Sequence, residues 1–460
     1  MFHSTRSKEM HPFSFCVNKG LASDGGLFIF DEIKTLDISK LVNLNYKELA
    51  FIVLRNLIDD FSDEEIKSCI DKSYNEINFK EKIIDLKNMN NYSYLELFYG
   101  PTAAFKDFAL TILPNFMVVS REKLGIKSLS RIVVATSGDT GSATLSGFLN
   151  QDNFKVTVLY PNNLVSPLQE KQMLLYSKNN NQAYAYEGNF DDCQRIAKEL
   201  AITYQDISSA NSINLGRLFP QVVYYFYGYL NLVKNNKIKL NEEINVTVPT
   251  GNFGNILAGY IAKKMGLPIN KLICASNSNN VLYDFINTGV YDRNRCFVKT
   301  YSPSMDILVS SNIERLIYLF YKDTEKVNEL FNEFNKTGKI VIKEYKELFK
   351  DFVSFYTTND EIIKEIKNEY KDNGYLIDPH TAVALNCYHK YQEKTRNKIY
   401  NLIVSTASPY KFDGAFIDAG IKLNYDFAPM SIKEAIKCNK ERKVLDNTLS
   451  IKEIGEIING

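Results

Sequence analysis

The feature that most restricts this chain is an alternation that begins near residue 131. RIVVA (131–135), KVTVLY (155–160), AYAYE (183–187), NVTVP (245–249), KLICAS (271–276) and YNLIVSTAS (400–408) each read as a short strand. Segments with helical spacing, such as DDCQRIAKEL and ILAGYIAKKM, lie between them. Ser166-Pro167 opens another helix with proline at its first position. Apolar strands bracketed by helices predict an α/β fold whose parallel sheets are covered on both faces.

The flanks read differently. Residues 1–92 form a helix-rich N-terminal unit, with apolar residues at helical spacing over Tyr46–Leu57 and Asp63–Tyr74. Ser23-Asp24-Gly25-Gly26 is a turn leading into the strand LFIF. LKNMNNYSY (86–94) reads as a polar connection into a core that runs over 93–430. Inside that core, 304–375 is charged, helical in pattern and poor in strands, and reads as an insertion or helical flank. Residues 431–460 read as a helical tail.

Composition excludes several classes. With 55 basic and 54 acidic residues the net charge is +1, so nothing draws the chain to nucleic acid or an anionic membrane. No apolar run approaches the roughly 18 residues that span a bilayer. The N-terminal MFHSTRSKEMHPFSF has no long apolar region and is not a secretory signal. Seven scattered cysteines without a CxxC pair predict reduced thiols in the cytoplasm, and four histidines argue against a metal centre. The expectation is a small-molecule enzyme, a monomer or small homo-oligomer.

Four stretches carry chemistry. In LELFYGPTAAFKDFAL (95–110), Gly100-Pro101 marks a turn, Thr102 is the expected N-cap, and Ala103 to Phe105 open a helix. Lys106 then lies in the first turn, where the helix dipole lowers a cation's pKa and suits it to Schiff-base or base chemistry. The alternative is a snorkelling surface lysine beside Asp107. Thr250 to Asn255 (TGNFGN) follows a strand and precedes a helix, a setting for a phosphate or a plain tight turn. Thr136 to Gly141 (TSGDTG) has the same setting, suited to a carboxylate or second phosphate, or to a turn capped by Asp139. Both loops are expected on one rim, at the carboxyl ends of strands. Asn211 to Arg217 (NSINLGR) offers a guanidinium for phosphate or a solvated arginine. Asp378-Pro379-His380 reads as a capped helix start, and the hydroxyls of Ser405 to Ser408 suit a ring nitrogen or a turn cap.

Taken together these segments resemble the threonine synthase family. The resemblance runs from STR (4–6) and DGGLF (24–28) through LFYGPTAAFKDFA, ATSGDTGSA, YPNNLVSPLQEKQM, GNFDDCQ, NSINLGR, PTGNFGNILAG and DPHTAVA to STASPYKF. GPTAAFKD with SPLQEK and the long N-terminal unit is specific to the longer bacterial and fungal branch. The resemblance implies a pyridoxal-phosphate enzyme of the tryptophan-synthase-β type (fold type II), with the cofactor between two parallel-sheet lobes. It implies a cofactor Schiff base on Lys106, a phosphate cradle of Gly251, Asn252, Phe253, Gly254 and Asn255, and the Thr406 hydroxyl at the pyridine nitrogen. Thr136, Ser137, Asp139, Thr140, Asn211, Ser212 and Arg217 are implied around the substrate's carboxylate and phosphate. The implied reaction takes O-phospho-L-homoserine and water to L-threonine and phosphate, by γ-elimination and β-hydration, with Lys106 as base. A lyase of the same fold that releases 2-oxobutyrate is the alternative. Two positions depart from the pattern: many relatives carry His at Ser408, and shorter ones carry Asn at Asp139.

Overall fold

The apolar runs become the inner strands of two sheets in the computed structural model, which describes residues 1–204 and 207–459. The larger sheet has the strand order Phe352–Tyr356, Ile269–Ser276, Ile244–Pro249, Asn401–Ser405, Tyr92–Glu96, Asp85–Asn88. Its first five strands are parallel and the last turns back antiparallel. Leu402 pairs with Val246 and Val404 with Leu95, so apolar residues align across the sheet. Ile244–Pro249 and Asn401–Ser405 are buried at every position, as expected of inner strands covered on both faces, and the buried polar groups pair with each other, Thr247 Oγ1 donating to Asn401 Oδ1 at 3.1 Å.

The smaller sheet is parallel throughout, in the order Lys443–Leu445, Asn181–Tyr186, Phe154–Pro161, Ser130–Ala135, Ile207–Ser208. The fold is therefore α/β with two parallel-sheet-centred lobes. Helix Leu215–Lys234 runs through the core with sixteen of its twenty residues buried, which accounts for its nearly all-round apolar face. It packs against helices Gly254–Lys264 and Tyr46–Leu57.

The N-terminal unit shares this core rather than standing apart. Its helices Tyr46–Leu57 and Asp63–Ser73 are started by capping boxes, Asn45 with Glu48 and Ser62 with Glu65. Phe13 stacks on Phe219 with ring centres 5.6 Å apart. The turn at Ser23 to Gly26 does lead into a strand, Phe28–Ile29, which pairs with His3–Ser4. Arg6 forks onto Glu314 at 2.8 and 2.9 Å, and the buried Arg315 donates to the Phe28 carbonyl at 2.9 Å.

Three stretches differ from expectation. LKNMNNYSY is no linker: it is the hairpin that closes one edge of the larger sheet, polar because an edge strand keeps a wet face. The stretch 304–375 is not merely a flank, since it supplies the opposite edge strand, Phe352–Tyr356, as well as segments that reach the site described next. The tail likewise carries a strand, Lys443–Leu445, between helices Met430–Ile436 and Ile451–Asn459. Among the described residues no helix is long and apolar enough to cross a membrane, and no cluster of His, Cys, Asp and Glu could hold a metal ion.

Candidate active site

Lys106 stands at the junction of the two lobes, where the strand Tyr92–Glu96 gives way to a short helix. That helix, Asp107–Leu110, begins one residue after the lysine rather than at Ala103. Thr102 is not its cap. The Thr102 N–H and hydroxyl instead donate to the Asp107 carboxylate at 2.9 and 2.7 Å, folding the loop back on itself with Ala103 at φ +53°. The loop also lies along 406–408: the Phe105 N–H donates to the Thr406 carbonyl at 2.8 Å, and Ser408 N–H to Ala103 at 3.0 Å. Thr406 is itself buried.

The Lys106 amine is not a surface group; its side chain is 11% exposed. Nζ donates to Ser304 Oγ at 3.2 Å and lies 3.6 Å from Asp139 Oδ2. Burial lowers its pKa; Asp139 pulls upward, but Lys411 and Arg217 add their repulsion, and it settles at about 8. The lowering foreseen from a helix terminus is thus present with desolvation as its main cause.

Asp139 is the first residue of helix Asp139–Gly147, and Gly138, at φ +138°, occupies the cap position foreseen for it. The Thr136 hydroxyl accepts the N–H groups of Gly138 and Gly141, at 3.0 Å each, and so closes the loop in place of an aspartate cap. The freed Asp139 carboxylate turns into the site. Its Oδ1 takes Lys411 Nζ at 2.7 Å and Gln169 Nε2 at 2.8 Å. Burial alone would raise Asp139; Lys411 and then Lys106 outweigh it and hold the carboxyl well below its usual range. Ser137 and Thr140 are half-buried on the same loop.

Thr250 to Asn255 forms the facing loop, between strand Ile244–Pro249 and helix Gly254–Lys264. Phe253 is buried in the left-handed region at φ +62°. The backbone is approached closely at Gly251, where a Cβ would meet the Ser304 carbonyl oxygen at 2.7 Å. Ser310 Oγ donates to the Gly251 carbonyl at 2.7 Å, and Asn312 donates its N–H and side-chain amide to the Asn252 carbonyl at 3.1 and 3.0 Å. Asn255 Oδ1 accepts the hydroxyls of Tyr224 and Tyr225 at 2.6 Å each, which leaves its amide NH₂ buried without a partner. A buried donor with nothing to donate to, at a helix N-terminus, is a fit for a phosphate.

Arg217 is buried, with Nη1 donating to the Ala210 carbonyl at 2.7 Å and Nε without a partner. Burial pushes it down to about 10, so the guanidinium stays charged near neutrality. Ser212 abuts the loop at Gly254, 3.9 Å from where a Cβ on that glycine would be, and Asn211 N–H bonds the Ser209 hydroxyl at 3.2 Å.

The loops 136–141 and 250–255 follow strands of different sheets and face each other across Lys106 and Ser304, rather than sharing one rim. Three residues that touch the amine or Asp139 were not singled out from the sequence. Ser304 lies in the stretch read as a flank, Gln169 in SPLQEK, and Lys411 in YKF. Asp378-Pro379-His380 is the capped helix start expected, with Asp378 accepting the His380 N–H at 2.9 Å. Its imidazole also reaches the site loop: Nδ1 faces Asp378 at 2.8 Å and Nε2 accepts the Ser304 N–H at 3.3 Å. Ser408 Oγ is buried without a partner.

A buried lysine opposite a glycine-bounded strand-to-helix loop, between two parallel-sheet lobes, fits the pyridoxal-phosphate-dependent class. The family profile described as pyridoxal-phosphate dependent enzyme matches residues 89–406, and the one described as threonine synthase N terminus matches residues 1–74. The chain belongs to the threonine synthase family. It is 39% identical over 446 residues to threonine synthase of Schizosaccharomyces pombe, covering 88% of this chain and 86% of that protein. It is 41% identical over 434 residues to threonine synthase-like 1 of Homo sapiens, of whose length it spans 58% while 88% of its own is matched. The crystal structure of pyridoxal-phosphate-bound threonine synthase from Brucella melitensis superposes with a TM-score of 0.90 at 34% identity, covering 99% of this chain and 98% of that one. The cofactor is pyridoxal phosphate.

Proposed function

We propose that this chain converts O-phospho-L-homoserine and water to L-threonine and phosphate. The observation that carries the reading is the Lys106 amine, buried and lowered to about 8, between the Asp139 loop and the loop ending in Asn255. A base works best with a pKa near the working pH, and this one meets that condition.

The residues fit the cofactor. Gly251 to Asn255 would hold its phosphate with backbone N–H groups and the unpartnered Asn255 amide, and Lys106 and Thr406 would hold its other end. Bound there, pyridoxal phosphate supplies an electron sink for charge developing on the substrate carbons. The chain does the rest. Lys106 Nζ takes and returns protons at the α- and β-carbons. Arg217, with its free Nε, and the donors of Asn211 and Ser212 hold the substrate's phosphate. Thr136, Ser137, Asp139 and Thr140 line the carboxylate side, where the hydroxyls of Ser137 and Thr140 are the free donors. The seven thiols are all free, six of them buried, which supports a reducing, cytoplasmic setting.

The test is purified protein loaded with pyridoxal phosphate and given O-phospho-L-homoserine, with phosphate and threonine assayed together. Equal amounts of both products support the reading; phosphate without threonine overturns it.

A further inference from the structure

Lys411 is a second buried lysine in the site, with no exposed side-chain surface. An ammonium removed from water in this way is expensive unless it is paired and hydrogen-bonded. Here it is both: Nζ lies 2.7 Å from Asp139 Oδ1 and donates to the Thr102 carbonyl at 2.8 Å. Gln169 Nε2 adds 2.8 Å to the same Oδ1. The other carboxylate oxygen, Oδ2, has only long neighbours, Ser304 Oγ at 3.5 Å and Lys106 Nζ at 3.6 Å. The carboxylate is therefore anchored through one oxygen and offers the second to the reactive amine.

We propose that Lys411 is a positioning residue, assisted by Gln169, that satisfies the charge of Asp139 so that Lys106 is not drawn into a tight ion pair. The structure divides the labour across the lobes. Asp139 and Gln169 come from the five-stranded side, at the starts of helices Asp139–Gly147 and Pro167–Tyr176. Lys411 follows the strand Asn401–Ser405 of the six-stranded side. Gly138 admits the arrangement, since a Cβ there would fall 2.5 Å from the Gln169 amide carbon. Because Asp139 is shared between two ammonium groups, loss of one commits it to the other. Without Lys411 the amine of Lys106 becomes the only cation bonded to Asp139 and holds its proton more tightly.

The charged groups facing Lys106 are Asp139, Lys411 and Arg217, while the Asp107 carboxyl is turned to Thr102 and His380 to the Ser304 backbone. The inference rests on the role proposed for Lys106, and its test reads the amine without cofactor or turnover, so the two fail separately. The full chain free of cofactor is labelled with acetic anhydride across a pH series, and acetylation of the Lys106 peptide is followed by mass spectrometry. In Lys411→Met the midpoint for Lys106 should move up by about one pH unit or more, making the free amine about tenfold scarcer at neutral pH. Uptake of pyridoxal phosphate should slow by the same factor. In the double variant Lys411→Met/Asp139→Asn, where the attracting carboxylate is gone as well, the midpoint should return towards that of the unaltered chain. A folded Lys411→Met protein with an unchanged midpoint would overturn the proposal. Should the single variant fail to fold, the double variant decides. A folded double variant supports the pairing, and one that also fails shows that Lys411 serves packing alone.

Discussion

Two buried aspartates flank Lys106, and their environments push them in opposite directions. Asp107 is its neighbour in sequence, yet its carboxyl meets only the Thr102 hydroxyl and loop N–H groups. Burial raises it to about 6 against the pull of those hydrogen bonds and of the Lys411 charge, which does not touch it. Asp139 lies on the other lobe, is as deeply buried, and is held far down because two lysines reach it. What separates them is contact with a cation. Neutral donors temper the cost of a buried carboxylate, and an ammonium reverses it. Asp107 therefore ties down the loop that precedes the lysine, and Asp139 sets the electrostatics of the amine.

The largest change should come from removing the amine that Asp139 faces. Lys106→Ala should lower turnover by roughly 10²–10⁴-fold and abolish the visible absorbance of the loaded protein, measured by steady-state assay and spectrophotometry. Next in size is Asp139→Ala, which strands two ammonium groups in the interior. Denaturant unfolding should show a loss of about 4 kcal/mol. No such loss would mean that the contrast between the aspartates has no energetic weight.

The Asp107 side of the comparison is tested by pH. A carboxyl whose folded-state pKa is raised from 3.8 to about 6 keeps its proton in the folded chain after the unfolded chain has lost it. Its contribution to stability is therefore complete below about pH 4 and is lost as pH rises to about 6, a change of about 3 kcal/mol. Asp107→Asn should flatten that part of the unfolding profile. The smallest effect is expected from Thr102→Val, which removes one donor to Asp107. It should cost about 1–2 kcal/mol, raise the Asp107 midpoint further, and leave the labelling midpoint of Lys106 where it was.

Much of the architecture was legible because a strand buried on both faces is rich in β-branched and other apolar residues. The runs at 131–135, 155–160 and 245–249 are short and rich in valine, and are strands in place. The hairpin Asp85–Asn88 with Tyr92–Glu96 escaped because its outer strand is half wet and polar. Phe352–Tyr356, an edge strand in a charged stretch, escaped because five residues are too few to show a period against their surroundings. In the site, Lys106 and the loop after Val248 announced themselves by local signals: a glycine–proline turn, and glycines between a strand and a helix. Lys411, Gln169 and Ser304 had no such signal, since their meaning arises only where the two lobes meet. The misplaced cap at Thr102 has a different origin. Local rules make threonine a cap, and here a second local bond, to Asp107 five residues on, takes its hydroxyl instead.

The strand Lys443–Leu445, which edges the five-stranded sheet by pairing with Tyr184 to Tyr186, has a consequence for synthesis. A chain leaving the ribosome exposes the unpaired rim of Asn181–Tyr186 long before Lys443 emerges. For that interval the lobe carrying Asp139 has an open edge and must wait for a partner that closes a very long loop. Contacts of such sequence separation form slowly, so the edge of that lobe closes late.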